Sequence, residues 1–268
     1  MSRIIENVPE ILLKNILDKS IKVRIQTNED GVVCGIEELI ERAKEIGLGI
    51  VCEVSSGDQV KRGRTIALLN GNPLQVVAGE DSLLSAISKV SGVATAAREA
   101  VQKAGKLKVV CGGWKKVPRE NKHMLRKAVE IGGAETRLVS VPFIYLDKNY
   151  VRIYGSVEAA LKAAESFPDR AIAIQLKGEA MAIEDEALAA AKHGADVLMV
   201  DTGLLSDARK CSEIINQNGL RQKVKLAFSG GLRIEDLADL KNEDIDIVDI
   251  GRAILDAPLL DFKYDVYK

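Results

Sequence analysis

The chain is 268 residues long, 47% hydrophobic and 29% charged, with 4 cysteines. That balance describes a folded globular protein and excludes a disordered, collagenous or disulfide-stapled chain. Its 38 Lys+Arg against 39 Asp+Glu leave a net charge of −1, so no overall field draws it to nucleic acid or to an anionic membrane.

At about 100–200 residues per domain, the length predicts one or two domains. Residues Met1–Glu6 lack the apolar stretch and cleavage site of a secretory signal. No run approaches the roughly 18 apolar residues of a membrane span. Cys34, Cys52, Cys111 and Cys211 stand singly, with no Cys-x-x-Cys pair and only 2 histidines in the chain. A zinc site needs about four clustered nitrogen or sulfur ligands, so free thiols in a reducing cytoplasm are the expectation.

Val8–Leu17 reads as a helix and Ile21–Thr27 as an alternating strand. In Gly35–Ile46 the apolar residues Ile36, Leu39, Ile40, Ala43 and Ile46 recur at helical spacing, and Gly47 and Gly49 stop that helix. Ile50–Val54 and Thr65–Leu69 read as strands around a turn at Ser56–Gly63, and Asn70-Gly71 carries a hairpin signal. The turn is similar to the hammerhead of lipoyl or biotinyl domains, but no lysine sits at its tip, so its role is structural. Glu80–Val101 is a long amphipathic helix interrupted by Gly92. Together these elements predict a small α+β domain over residues 1–105 that ends in a connecting helix.

From Leu107 the rhythm becomes strand, loop, helix. Strands are predicted at Leu107–Cys111, Leu138–Ile144, Ala171–Leu176, Val197–Val200, Val224–Phe228 and Ile245–Ile250. Helices are predicted at Asn121–Ile131, Val157–Ser166, Glu184–His193, Ser206–Gln217 and Ile234–Leu240. Parallel strands need a crossover long enough for a helix, so this alternation predicts βαβ units and an α/β fold over residues 106–268. Periodicity leaves open an incomplete barrel or an open doubly wound sheet.

In either architecture ligands bind at the carboxyl ends of the strands. Those positions hold Cys111–Arg119, then Asp147–Tyr150, Gln175 and Lys177, Asp201 and Thr202, Ser229-Gly-Gly231, and Gly251-Arg252. Ser229, Gly230, Gly231 and Gly251 suit a phosphate, because a Cβ blocks close approach to backbone N–H groups; the plainer reading makes them turn residues. Asp201 suits Mg²⁺ or the hydroxyls of a sugar, or else caps the following helix, for which Ser206-Asp207 is an alternative cap. Lys115 and Lys116 either neutralise a phosphate or carboxylate or lie in a solvated loop. Trp114 either stacks on a planar ring or joins the core. His193, late in its helix, reads as a surface or dipole partner.

The motifs Gly31-Val-Val-Cys-Gly35, Gly57-Asp58-x-Val60-x-x-Gly63, Ser91-Gly-Val-Ala-Thr95, Lys115-x-x-Pro118, Ala128-Val-x-x-Gly-Gly133, Ser229-Gly-Gly231 and Ala257-Pro-Leu-Leu-Asp261 occur in this order. From about residue 20 to the end, the chain resembles the quinolinate phosphoribosyltransferase family, also called carboxylating nicotinate-nucleotide pyrophosphorylases. The resemblance implies an N-terminal α+β domain followed by an incomplete TIM-like barrel, whose final residues return to the first domain. It also implies a head-to-tail homodimer, alone or in a hexameric trimer of dimers, and a place in NAD biosynthesis.

The family's Thr-Arg-Lys-Thr run appears here as Gly113–Lys116, which keeps the lysine as Lys115 and puts Trp114 in place of an arginine. Its His-Arg pair falls at Thr136-Arg137, and its later aspartate at Asp201. Other family positions hold Asp81 for an arginine, Tyr150 for a histidine, Gln175 for an acid and Ala227 for a glutamate. Lys116, Arg119, Lys148 and Arg252 are on hand as replacement basic groups. The implied reaction transfers phosphoribose from phosphoribosyl pyrophosphate with Mg²⁺ to a pyridine or aromatic acid. Lys115, Arg137 and Asp201 are its catalytic residues, and Trp114, Lys116 and Lys148 hold the acceptor. Ser229, Gly230, Gly231, Gly251 and Arg252 hold the phosphate. Two alternatives stay open: a paralogue that binds a phosphorylated ligand without transfer, and a transferase for another acceptor in a specialised cofactor pathway.

Overall fold

A computed structural model describes residues 8–267 of the chain. The opening residues read for a secretory signal, Met1–Glu6, lie outside that range. The chain divides into two compact units. The first takes residues 8–96, 123–132 and 257–267, and the second takes Ala97–Lys122 and Gly133–Asp256. The predicted boundary at residue 105 is a single cut, whereas these units exchange segments along the chain.

The first unit begins with α1 (Val8–Leu13), β1 (Ile21–Thr27), β2 (Gly31–Val32), α2 (Ile36–Ile46), β3 (Gly49–Cys52), β4 (Gln59–Val60) and β5 (Thr65–Gly71). It continues into α3 (Pro73–Ala104), whose last turns belong to the second unit. The C-terminal strand Phe262–Tyr267 adds to β1, giving an antiparallel sheet ordered C-terminal strand, β1, β5, β3. In β1 the side chains of Val23, Ile25 and Thr27 are buried at every second position, as a pleated strand covered on one face requires. Val23 and Ile25 pack with Leu39 and Ala43 of α2 and with Leu83 and Ile87 of α3.

Two expectations are corrected here. Asn70-Gly71 is not a hairpin turn: both residues lie within β5, where Asn70 pairs with Lys22 and Gly49. The chain then enters α3 through a reciprocal cap, in which Asn72 Oδ1 accepts from Gln75 N–H at 3.0 Å and Gln75 Oε1 accepts from Asn72 N–H at 2.9 Å. Pro73 suits the first helical position because its missing N–H has no partner to lose there. Gly92 does not interrupt α3. A Cβ at that position would run into the carbonyl oxygen of Pro258, so the glycine serves a close approach between segments.

The second unit holds β6 (Lys108–Val110), a 3₁₀ turn at Trp114–Lys116 and another at Arg119–Asn121. After α4 (Lys122–Gly132), most of which joins the first unit, come β7 (Phe143–Leu146), α5 (Lys148–Tyr154), α6 (Val157–Ala164), β8 (Ala171–Leu176) and α7 (Ile183–Lys192). Next are β9 (Val197–Asp201), α8 (Leu205–Gln217), β10 (Lys225–Ser229), α9 (Leu237–Leu240), β11 (Ile247–Asp249) and α10 (Arg252–Leu255), before the C-terminal strand, β12.

The six strands form one sheet ordered β6-β11-β10-β9-β8-β7, and every pairing among them is parallel. From β7 to β11 each strand lies beside its predecessor, and β6 then flanks β11. A doubly wound sheet reverses direction at a switch point; this order never reverses, which is the connectivity of a barrel opened between its first two strands. At that opening Glu135 bridges to Val110, donating to Val109 O at 2.9 Å and accepting from Cys111 N–H at 2.7 Å.

The strand predicted at Leu138–Ile144 lies at Phe143–Leu146 instead. Pro142 has no N–H for a ladder, so pairing starts only after it. The α5 helix was not predicted; Asp147 caps its start and Gly155 its end, but it has no buried residue to supply an apolar stripe. Among the described residues no helix is long and apolar enough to cross a membrane.

Candidate active site

Within the second unit, alternation along parallel strands builds the site. Val110, Phe143, Ala173, Val197, Met199, Ala227 and Ile247 share one apolar cluster. Side chains two residues apart point to the same face, so the next layer toward the carboxyl ends holds Tyr145, Gln175 and Lys177, Asp201, Ser229 and Asp249. An apolar plug therefore lies beneath a polar layer. The intervening Ile174, Leu176, Leu198, Val200, Leu226, Phe228 and Val248 are buried on the opposite face.

The loops after these strands touch one another in sequence around the rim. Lys148, the first residue of α5, donates its main-chain N–H to Gln175 Oε1 at 2.8 Å. Gln175 Nε2 donates to Asp201 Oδ2, and Lys177 Nζ donates to the Asp201 carbonyl and lies 3.3 Å from Oδ2. Gly203 N–H donates to Ser229 O at 2.9 Å. A Cβ on Gly230, whose φ is +118°, would collide with the backbone of Gly203. Beyond β11 an added Cβ on Gly251 would stand 2.9 Å from Gly112 O. Gly112 N–H in turn donates to Asp249 Oδ1 at 2.8 Å.

Burial has electrostatic consequences here. It lifts the Asp249 carboxyl to about 6, opposed by the Gly112 N–H and reinforced by the charge of Asp201. Loss of solvent, with Asp201, Asp249 and Asp147 adding repulsion, pushes the Tyr145 phenol above its usual range. Burial and the Asp249 charge hold the Cys111 thiol up at about 12, so it is protonated and unsuited to attack. The thiols of Cys34, Cys111 and Cys211 are buried and that of Cys52 half-buried, all unpaired in disulfides.

Most of the residues singled out from the sequence lie in this unit, at or just beyond strand ends, whereas Asp81 belongs to the first unit, Arg137 precedes β7 and His193 follows α7. Ser229–Gly231 and Gly251 follow adjacent strands, β10 and β11. Gly231 faces open space at φ +83°. Lys115 and Lys116 are exposed on the turn after β6 and engage no carboxylate among the described residues, and Trp114 beside them is half-buried. The Arg137 guanidinium lies 5.6 Å from the ring centroid of Phe143. Arg252 is exposed and spends its Nε on Asp256 Oδ2 at 3.1 Å. The alternative cap at Ser206-Asp207 is not used: both residues lie inside the first turn of α8, and Leu204 precedes that helix with no side-chain cap bond. His193 ends α7 with Nδ1 2.8 Å from Ala189 O.

Sequence reasoning missed Tyr145, Asp249 and Glu186. Glu186, 3% exposed, accepts main-chain N–H bonds from Lys177 at 2.9 Å, Gly178 at 2.8 Å and Glu179 at 3.1 Å. It thereby fixes the loop that carries Lys177. Asp249 had a usable signal, because it lies two residues beyond the inward-facing Ile247. Glu186 had none, sitting in the acidic run Glu184-Asp-Glu186 that reads as a helix N-terminus.

Comparisons with known proteins agree with this architecture. Residues 7–91 match the model of the quinolinate phosphoribosyl transferase N-terminal domain, and residues 93–265 match that of the C-terminal domain. A protein of Archaeoglobus fulgidus named "Probable nicotinate-nucleotide pyrophosphorylase (carboxylating)" is 28% identical over 252 residues, covering 92% of this chain and 95% of its own length. The crystal structure of nicotinate-nucleotide pyrophosphorylase from Pyrococcus furiosus superposes with a TM-score of 0.83 at 20% identity, over 96% of this chain and 71% of that one. The corresponding structure from Francisella tularensis gives 0.82 at 21% identity, over 96% and 90%. With both domain models matched in order and a barrel bearing its polar layer at the strand ends, the chain belongs to the quinolinate phosphoribosyltransferase family.

Proposed function

We propose that this protein transfers phosphoribose from phosphoribosyl pyrophosphate to a ring nitrogen of a small planar acid and releases pyrophosphate, the reaction type of nicotinate-nucleotide pyrophosphorylases. The observation that carries this reading is the family match along nearly the whole chain. Such a transfer passes through an oxocarbenium-like transition state, which calls for positioning and charge compensation more than for a covalent nucleophile.

The backbone of Ser229, Gly230 and Gly231 grips the 5′-phosphate, with Gly251 and Arg252 on the adjacent strand end. Lys115 and Arg137 attend the departing pyrophosphate or the acid group, and Trp114, Lys116 and Lys148 hold the acceptor. Asp201 orients the ribose hydroxyls. A second copy of the chain, in a homodimer, completes the assembly in this reading.

Magnesium was expected on Asp201, and the side chains around that carboxylate do not fit a protein-held metal. Asp201 Oδ2 already takes the Gln175 amide and faces the Lys177 ammonium, a donor and a like charge where a metal would need a free lone pair. Magnesium enters this account only as a counterion of the donor's diphosphate in solution.

The test is a pyrophosphate-release assay with phosphoribosyl pyrophosphate and a panel of pyridine and aromatic acids, quinolinate included. Release with at least one acid is expected, and silence across the panel counts against transfer.

A further inference from the structure

The polar layer contains a cation that the sequence reading left without a role. Lys177 follows β8 on the same face as Ala173 and Gln175, and strand register sets it beside Asp201, since Leu176 pairs with Val200. Its Nζ lies 3.3 Å from Asp201 Oδ2 and also donates to the Asp201 carbonyl. Both side chains are about one quarter exposed, at 27% and 25%, so the pair is reachable from the rim yet shielded from bulk water.

Two further interactions hold the arrangement in place. Gln175 bridges it, donating to Asp201 Oδ2 and accepting from Lys148 N–H at 2.8 Å. The buried Glu186 carboxylate fixes the backbone beneath Lys177 through N–H bonds from Lys177, Gly178 and Glu179. The lysine is therefore preorganised rather than a loose surface charge.

A magnesium ion needs oxygen ligands at about 2.0–2.1 Å in near-ideal octahedral geometry. At Asp201 Oδ2 it would meet an amide donor and a like charge on the same oxygen. An ammonium, by contrast, has three donors and needs no such shell. Two of its contacts go to Asp201, and the diphosphate of the donor supplies further acceptors.

We propose that Lys177 is the resident cation of this site: its ammonium takes the place of a divalent metal at Asp201 and meets the diphosphate of the sugar donor directly. This inference rests on the phosphoribosyltransferase reading and deepens it.

The experiment is calorimetric titration of the purified, full-length protein with inorganic pyrophosphate, once in EDTA and once in excess Mg²⁺. Binding in EDTA is expected, with affinity within about threefold of that in Mg²⁺. Lys177→Gln lowers the EDTA affinity tenfold or more, and Lys177→Arg retains most of it. A Mn²⁺ titration followed by electron paramagnetic resonance is expected to show no cation site that Asp201→Asn removes. Pyrophosphate binding that requires Mg²⁺, an Asp201-dependent Mn²⁺ site, or a Lys177→Gln variant with unchanged affinity overturns the inference and leaves the transferase reading intact. Pyrophosphate binding in neither condition overturns the transferase reading, and the inference falls with it. The comparison of EDTA with Mg²⁺ uses the unmodified protein, so the outcome does not depend on any variant folding.

Discussion

The main-chain N–H of Gly203 donates to the carbonyl oxygen of Ser229 at 2.9 Å, tying the loop after β9 to the loop after β10. Gly230 is pressed against Gly203 at this point, and its φ of +118° lies where side chains are rarely tolerated. Gly230→Ala therefore has to break that approach as well as strain the backbone. We expect a loss of about 1–3 kcal/mol in stability and at least tenfold weaker binding of ribose 5-phosphate. At Gly231 an added Cβ meets nothing within 4 Å, so Gly231→Ala costs only the left-handed backbone penalty of about 1–2 kcal/mol. Urea melts and calorimetry on both variants check the ranking.

Glu186→Ala orphans four main-chain N–H groups in the Lys177 loop, those of Lys177, Gly178, Glu179 and Ala180. Each buried donor left unsatisfied costs about 1–3 kcal/mol, reduced here by water entering the space. The variant should lose stability and, because Lys177 loses its support, pyrophosphate affinity as well. Calorimetry on the folded fraction separates the two effects, and unchanged pyrophosphate affinity would argue against a positioning role.

Ser91 belongs to the first unit and takes no part in the polar layer of the second. Its hydroxyl accepts from Cys34 N–H at 2.9 Å and donates to Cys34 O at 3.2 Å, in a buried setting within the first unit. Ser91→Ala should cost about 1–3 kcal/mol by stranding the Cys34 N–H. Below the melting range, its kcat and KM should match those of the parent.

Two aspartates should make opposite contributions to stability against pH. Asp244 is held at about 2 by Arg221, with Ser212 and Asn216 helping, against an ordinary value of 3.8. An acid whose folded value is lowered stabilises the fold above its unfolded value, and that contribution disappears as pH falls from about 4 through 2. Half-exposure of its side chain limits the effect through solvent screening. Asp249, raised to about 6, stabilises below about 4 and loses that contribution as pH rises through 6. Asp249→Asn, which keeps an acceptor for Gly112, should therefore raise stability at pH 8 by up to about 3 kcal/mol. Urea midpoints measured from pH 3 to pH 8 read both slopes, and a destabilised Asp249→Asn at pH 8 would contradict the sign.

Much of the fold was legible because its signals are local. Ala171–Leu176 was read with its observed limits, since an apolar run flanked by turn residues has few other readings. The strand expected at Leu138–Ile144 starts only after Pro142, which has no N–H to pair, and Asn70-Gly71 ends a strand that enters a helix, a place a turn dipeptide can also occupy. The candidate site was only partly legible. Position after a strand placed Gln175, Lys177, Asp201 and the glycine loops at one end of the second unit. What those groups do to one another depends on register between strands distant in sequence. Lys177 and Asp201 are 24 residues apart, and nothing in either segment alone reveals that the ammonium satisfies the carboxylate. The motifs behind the family resemblance are partly structural for the same reason: Val32 N–H donates to Thr95 Oγ1 at 2.9 Å and Cys34 N–H to Ser91 Oγ, so two of the matched segments hold each other.

The most direct measurement is a difference electron-density map from crystals soaked with phosphoribosyl pyrophosphate. The 5′-phosphate is expected against the backbone of residues 229–231 and 251, with the diphosphate within hydrogen-bond reach of Lys177 Nζ. A sugar phosphate seated elsewhere, with those loops bare, would contradict that placement.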